Sequence, residues 1–471
     1  MSKPDVLIIG GGVIGSAIAY ELQREGAQVT LLERTSIASG ASGVSAAMLE
    51  AQLDAREEGP FTELALASRA LFPDLSQQLN EFTGIDIGYE ACGILRLATD
   101  DAERRLLRDR LEWQQARGLS AEWLEPDVVA LRFPALGGRN TGALFYKDDG
   151  QVIASRFTTG LAEGARQYGA VIREGIQVTG FKTNGRRVTE VLTDQGAMSA
   201  GQVILAAGPW SAGLARRLNF SLPIEPVRGQ MLIYKTVERL LPAPVYTSEG
   251  YFTPKIDGTL LVGSTAERVG FTCETTPLGI EKLQSFATKR LPILIDIPYA
   301  AAVAGLRPGS LPDNLPAIGP VPDWDNVSVA AGHYRNGILL APITAKLPLL
   351  WQVQEKNNVV GILSPVTGNS HGAMGILKSS KKGLSIQEAA SKGLGVSARA
   401  AGWTLSHARF GRLPAVKVVS SLKNDPSQKM VQYYVQAGDD LFLIQCVAPA
   451  SEWNAYSGLF ATMIRTFQFS N

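Results

Sequence analysis

The chain is poor in the side chains that hold metals. Its 471 residues include three cysteines, Cys92, Cys273 and Cys446, and three histidines, His333, His371 and His407. The cysteines lie far apart and form no CxxC pair, which argues against a zinc site or a disulfide framework. So few histidines leave a histidine-rich metal centre short of ligands. An excess of either charge is also lacking: 45 Lys and Arg face 44 Asp and Glu, a formal net charge of +1. That balance leaves no basic footprint for nucleic acid and no acidic solvating tail. No uncharged apolar run reaches the length of a membrane helix. The N-terminus shows no basic segment followed by an apolar stretch and a small-residue cleavage site. We therefore expect a cytoplasmic protein with no integral membrane segment. With no metal expected, redox chemistry would need an organic cofactor.

What is present suits a globular protein, 45% hydrophobic and 19% charged. A chain this long exceeds what one core usually serves, which predicts two or three domains.

The first residues carry the strongest pattern. Asp5–Gly10 reads DVLIIG, an apolar run suited to a buried parallel strand. Gly10, Gly12 and Gly15 then fit GxGxxG, Val13–Glu25 has helical periodicity, and Gln28–Leu32 is a second apolar strand ending at Glu33. Each part has a physical reason. Gly10 permits the tight turn, Gly12 lets backbone approach a pyrophosphate, and Gly15 lets helix and strand pack closely. The helix start at Val13 and Ile14 offers amides and a positive dipole end to phosphate. Glu33 is placed to accept ribose hydroxyls and would repel a 2′-phosphate, which disfavours NADP. Dinucleotide binding is the reading, and the rest of the chain decides which dinucleotide. Ser36–Met48 reads SIASGASGVSAAM, small residues that let backbone pass close to a flat ligand. Far downstream, Gln202–Gly208 reads QVILAAG, followed by Pro209 and Trp210. A nucleotide fold with a distant second glycine turn suits an extended cofactor such as FAD.

At this point the chain resembles the D-amino acid oxidase superfamily of flavoproteins, and within it the glycine oxidases of thiamine biosynthesis. The resemblance rests on IIGGGVIGSAIAYELQREGAQVTLLER, SGASGVSAAM, TGIDIGYEACGILRLA, AAGPWS, PVRGQM, GYFTPKIDGTLLVGST, AGLRPGSLPDNLPAIG and AGHYRNGILLAPITA. These span about Asp5 to Leu350 in the family's order, and GLRP with GHYRNGILLAP is a specific pair.

The resemblance implies an α/β Rossmann-type FAD-binding domain, discontinuous over 1–85, 150–220 and 300–352. It also implies an α+β antiparallel-sheet substrate domain over 86–149 and 221–299. Non-covalent FAD is implied, held by Gly10, Gly12, Val13, Ile14, Gly15, Glu33, Arg34, Ser42, Ala46, Ala47, Met48, Val178, Ala207, Gly208, Trp210, Arg307 and the run His333, Tyr334, Arg335, Asn336, Gly337 and Ile338. The implied chemistry is hydride transfer from the substrate α-carbon to flavin N5. Imine hydrolysis follows, and dioxygen takes the electrons to give hydrogen peroxide.

An amino acid substrate brings a carboxylate, which a buried arginine fork binds bidentately. Arg307 matches the family's carboxylate-binding arginine, and Tyr251 the tyrosine that supports it, with Tyr246 as the alternative register. Arg335 matches an arginine on the substrate side of the flavin. The helix that starts after it would aim its dipole at the flavin pyrimidine ring. His333 reads as a packed structural histidine rather than a base, because hydride transfer from a neutral amine needs no side-chain base.

Two positions depart from the family. Where glycine oxidases commonly read AAGMLG, this chain has Ala46-Ala47-Met48-Leu49-Glu50, and Glu249 adds an acid two residues before Tyr251. Two carboxylates near an anionic substrate oppose its binding unless they point away or attract the ammonium group. The expected substrate is glycine or another small amino acid or amine, with dioxygen. A dehydrogenase passing electrons to a membrane carrier, or a flavoprotein scaffold with a partner-binding extension, are the alternatives. A homo-oligomer is the default assembly.

The polar stretch Gln352–Asn358 reads as a linker. The extension over 358–471 reads as a small α+β domain of about 110 residues. Its expected elements are a helix at Ser385–Gly395, strands at Trp403–Phe410, Ala415–Leu422, Met430–Gln436 and Leu441–Val447, and a final helix at Glu452–Thr466. It weakly resembles PsbP-like antiparallel-sheet domains and is too short for a fused thiazole synthase barrel.

Overall fold

The computed structural model describes residues 3–346 and, beyond them, the strand segments 352–356, 359–363, 373–379, 404–410, 413–422, 425–437 and 440–449. Two compact units divide the chain: residues 1–58 with 68–346, and residues 347–471 with 59–67.

Beside a three-stranded and a two-stranded sheet, the first unit is built on two large ones. One has six strands in the order Ala317–Pro320, Val327–Ala331, Gln202–Leu205, Val6–Ile9, Val29–Leu32 and Val171–Arg173. Its pairings are parallel except the first, where Ala317–Pro320 runs antiparallel to Val327–Ala331. Val6–Ile9 and Val29–Leu32 are buried along their whole length, as the apolar runs require. Gly10 ends the first strand at φ +116°, a backbone that side chains rarely adopt. Helix Val13–Arg24 follows and packs against helices Ala154–Gln167 and Gly337–Lys346. A Cβ at Gly15 would collide with the Gly10 carbonyl, so only glycine lets this helix sit so close to its strand.

The other sheet has eight strands in the order Ala301–Ser310, Ile224–Lys235, Thr259–Gly263, Tyr251–Pro254, Val245–Tyr246, Ile94–Ala98, Gly142–Tyr146 and Ala121–Leu124. Helix Pro277–Arg290 covers part of it, burying Leu283 and Phe286 in a core with Leu232, Phe252 and Val262. Phe252 and Phe286 stack with ring centroids 4.8 Å apart. The sheet corrects one boundary. The sequence puts residues 300 onward with the nucleotide-binding part, yet Ala301–Ser310 pairs in register with Ile224–Ile233 in the eight-stranded sheet. The chain returns to the six-stranded sheet only at Ala317.

The second unit contains a seven-stranded antiparallel sheet in the order Gln352–Lys356, Val359–Leu363, Ala373–Ser379, Asp440–Pro449, Asp425–Ala437, Leu413–Leu422 and Thr404–Phe410. Its four last strands in the chain overlap the four expected, with Asp425–Ala437 beginning five residues before the expected Met430. The linker expected at Gln352–Asn358 is corrected, because Gln352–Lys356 is a strand paired with Val359–Leu363. The two expected helices, Ser385–Gly395 and Glu452–Thr466, lie outside the described residues.

Candidate active site

A cavity of ≈ 1180 Å³ is lined by residues of both large sheets of the first unit. It exceeds the roughly 300–1,000 Å³ of ordinary small-ligand pockets, as a dinucleotide plus a substrate would require. Residues from both ends of this unit line it. Gly10, Gly12, Val13, Ile14, Glu33, Arg34, Ser42, Ala46, Ala47, Met48, Val178, Ala207, Gly208, Trp210, Tyr251, Arg307, His333, Tyr334, Arg335, Gly337 and Ile338 all reach its wall. Two expected cofactor residues do not. Gly15 lies in the helix–strand contact, and Asn336 is turned to Asp54, its Nδ2 donating at 3.2 Å.

At the nucleotide turn, helix Val13–Arg24 starts from Gly12 with no capping side chain from that residue. The Ser42 hydroxyl accepts from the Val13 amide at 3.0 Å. A Cβ on Gly12 would meet only Ser42 Oγ, at 3.2 Å, so this side of the turn is open to the cavity. Glu33 Oε2 accepts from the Gly11 amide at 2.7 Å and Oε1 from the Thr35 amide at 3.0 Å, so the acid also shapes the turn it follows. Arg34 stacks over the Trp210 ring, 3.7 Å from its centroid. An open turn at a helix start, with an acid and a flat cation beside it, fits a dinucleotide such as FAD.

The Ala46–Met48 segment is fixed from behind. Ala47 has φ +52°, a conformation in which glycine is at ease and alanine is strained. The resemblance places the glycine of AAGMLG here, so the expected departure falls where alanine carries a backbone cost. Lys255, which no local signal in the sequence marks, holds the segment down. Its Nζ donates to the Ala46 carbonyl at 2.6 Å, the Val152 carbonyl at 2.8 Å and Gln151 Oε1 at 3.1 Å. Burial pushes its pKa down to about 7.

On the eight-stranded sheet, Arg307 donates to the Thr265 carbonyl at 3.0 Å and the Ser264 hydroxyl at 2.6 Å. Its guanidinium lies over Gly229, where a Cβ would collide with it. No acid is paired with it among the described residues, so its charge is left for a ligand. Tyr251 sits across the sheet, two strands intervening, opposite Gly263, and its hydroxyl donates to Met231 Sδ at 3.1 Å. Tyr246 pairs with Tyr251 across the strands, their ring centroids 6.0 Å apart, and both line the cavity.

Arg335 comes from the turn after Val327–Ala331, where Tyr334 has φ +47° and its amide donates to the Pro308 carbonyl at 3.0 Å. The Arg335 guanidinium lies 5.3 Å from the Tyr246 ring centroid and pairs with Glu50 at 3.2 Å and Asp54 at 3.5 Å. Burial works against that charge, but the two carboxylates outweigh burial and hold the Arg335 pKa above its ordinary value. Burial pushes Glu50 up to about 8, with Asp54 adding to the rise and Arg335 opposing it. Asp54 went unread in the sequence, although its four-residue spacing from Glu50 was a usable signal: the Asp54 amide donates to the Glu50 carbonyl at 3.0 Å, closing one turn. Glu249 lines the cavity but spends its charge elsewhere, accepting from Lys289 at 3.0 Å and Arg290 at 3.1 Å. His333 Nε2 lies 3.0 Å from the Thr344 hydroxyl, and burial holds its pKa down at about 3. A histidine so buried stays neutral, which fits a packing role.

Comparison with known proteins agrees with this geometry. The family model described as FAD dependent oxidoreductase, DAO, matches residues 5–347. A glycine oxidase from Geobacillus kaustophilus is 35% identical over 376 residues, covering 79% of this chain and 98% of the relative. A glycine oxidase from Pseudomonas aeruginosa is 35% identical over 345 residues, covering 73% and 93%. A bifunctional ThiO/ThiG protein from Synechocystis is 37% identical, but the match spans only 50% of its length. The crystal structure of the Geobacillus enzyme superposes with a TM-score of 0.71 over 74% of this chain and 94% of the other. By sequence, fold and cavity the chain belongs to the DAO family of FAD-dependent oxidoreductases.

Proposed function

We propose that this protein is an FAD-dependent oxidase of glycine or another small amino acid, giving a 2-oxo acid, ammonia and hydrogen peroxide from the amino acid, water and dioxygen. The observation that carries the reading is Arg307: a cation lining the cavity of a dinucleotide fold, satisfied among the described residues by neutral oxygens. FAD, where bound, would supply the two-electron acceptor for hydride from the substrate α C–H bond and the route of those electrons to dioxygen. The chain's own residues do the rest.

The Gly10–Gly12 turn with the Val13 and Ile14 amides receives the pyrophosphate, and Glu33 with Arg34 takes the ribose end. Ala46–Met48 and the His333–Ile338 turn border the flavin, with Gly337 and Ile338 starting a helix whose dipole favours negative charge there. Arg307 receives the substrate carboxylate as a two-pronged donor and Tyr251 supports it. No histidine base is needed, since the reacting amine is neutral. The six-stranded sheet with its helices serves as cofactor domain and the eight-stranded sheet as substrate domain. A homo-oligomer in the cytoplasm completes the reading.

The test is a panel of glycine, sarcosine, D-alanine and D-proline, followed by peroxide formation with dissolved oxygen as the sole acceptor. Peroxide from at least one of them is expected. Anaerobic bleaching of the flavin without peroxide in air would replace the oxidase with a dehydrogenase. No bleaching by any amine would reject the reading.

A further inference from the structure

The cavity wall between Arg307 and Glu50 is continuous. Arg307 bonds Ser264, next to Gly263, which pairs with Tyr251. Tyr251 pairs with Tyr246, and Tyr246 lies under Arg335, which meets Glu50 and Asp54. The two ends differ in charge. Arg307 is a cation without an acid among the described residues. At the other end two carboxylates share one guanidinium, and Arg335 donates to both Glu50 oxygens, at 3.2 and 3.4 Å. The Glu50 side chain is 5% exposed and lines the cavity, while Glu249 is drawn off by Lys289 and Arg290.

We infer that Glu50 sets the substrate class of this cavity: it admits amino acids with one carboxylate and a neutral or cationic remaining substituent, and rejects amines that carry a second acidic group. The inference rests on the amine oxidase reading above. A first carboxylate finds Arg307. A second one, carried on the amine nitrogen, finds at the far end of the wall a guanidinium already matched by two acids, and must approach Glu50. In a water-poor site like charges repel strongly. A hydroxyl, an amine or an ammonium group at the same place meets Glu50 as a hydrogen-bond acceptor. Burial raises the Glu50 pKa to about 8, and the protonated form would donate to a second carboxylate rather than repel it, so the discrimination belongs to ionised Glu50 and the comparison is made above pH 8.

The experiment uses the flavin-loaded full chain and the variants Glu50→Gln and Glu50→Gly. Asp54 continues to pair Arg335 in both, and the flavin absorbance per chain checks that each variant is folded and loaded. Sarcosine and iminodiacetate differ by one added carboxylate on the nitrogen side. Their kcat/KM ratio in the wild-type protein should favour sarcosine, and both variants should shift it toward iminodiacetate by at least about tenfold. Binding gives a second readout without turnover. Titration with methoxyacetate and diglycolate, the ether analogues of the pair, should show the same shift in relative Kd. Sarcosine turnover with an unchanged ratio in both variants and both readouts would overturn the role of Glu50 and leave the oxidase reading standing. If no amine reduces the flavin and neither ether binds, both fall together.

Discussion

Lys255 Nζ lies 2.6 Å from the carbonyl of Ala46, across 209 residues of chain. It ties the strand after Tyr251 to the segment that borders the cavity, beside the strained Ala47. Replacing Lys255 with methionine keeps the apolar stem and leaves the Ala46 and Val152 carbonyls without their donor. Lys255→Met should lower unfolding stability by about 1–3 kcal/mol. Urea denaturation of the purified protein measures this, and an unchanged midpoint and slope would mean the bonds contribute nothing net.

Two glycines of the first turn should fail in different ways. A Cβ on Gly12 meets only the Ser42 hydroxyl, at 3.2 Å, whereas one on Gly15 collides with the backbone carbonyl of Gly10. Gly12→Val should therefore give a folded protein that purifies colourless. Gly15→Val should lose thermal stability or fail to accumulate. Flavin content and circular dichroism of the two variants separate the outcomes; a yellow Gly12→Val protein would remove the pyrophosphate from this turn.

Arg307, inside the strand Ala301–Ser310, and Arg335, in a turn, both lie close to glycines in sequence, but among the described residues Arg335 alone of the two is matched by acids. Arg307→Ala should raise KM for the amino acid by about 10- to 150-fold, the loss of a charge-assisted bond of about 1.5–3 kcal/mol. Arg307→Lys keeps the charge but not the fork, and should recover only part of the loss. Steady-state kinetics decide it, and an unchanged KM in Arg307→Ala would move the carboxylate elsewhere.

His333 gives a pH signature. The unfolded side chain binds a proton near its ordinary value of 6.5, while burial holds the folded one at about 3. Between those values the unfolded state carries a proton that the folded state refuses, so stability is fully present above 6.5 and drains away as pH falls toward 3. His333→Gln, able to bond Thr344 without titrating, should flatten the fall in Tm from pH 6.5 to 4. The kcat/KM profile should keep its shape in that variant. Loss of an acid limb would return His333 to the chemistry.

Legibility in this chain follows the range of the interaction. The first strand, turn and helix were readable because the chemistry that shapes them is written within thirty residues: an apolar run, glycines at fixed spacing, and an acid after the next strand. The cavity residues carried by the family's segments were readable by likeness, and the structure brings all but Gly15 and Asn336 to one wall. What escaped is long-range. Ala301–Ser310 has no local feature saying which sheet it joins, because its partner lies in Ile224–Lys235. Lys255 carries no sign of burial, and its acceptors sit more than a hundred residues upstream. Gln352–Lys356 reads as polar linker because its residues, QVQEK, carry little apolar signal, yet it pairs along its length with Val359–Leu363.

The central strands of the six-stranded sheet come from residues 6–9, 29–32, 202–205 and 327–331, so the last of them enters when seven-tenths of the polypeptide has been translated. A nascent chain paused at residue 300 has its glycine turn but neither the second neighbour of Gln202–Leu205 nor the Arg335 turn that lines the same cavity. Pairing between such distant segments is slow. Completion of the cofactor cavity therefore waits on synthesis through about residue 338, and yellow colour in a preparation counts the molecules in which these distant segments have met.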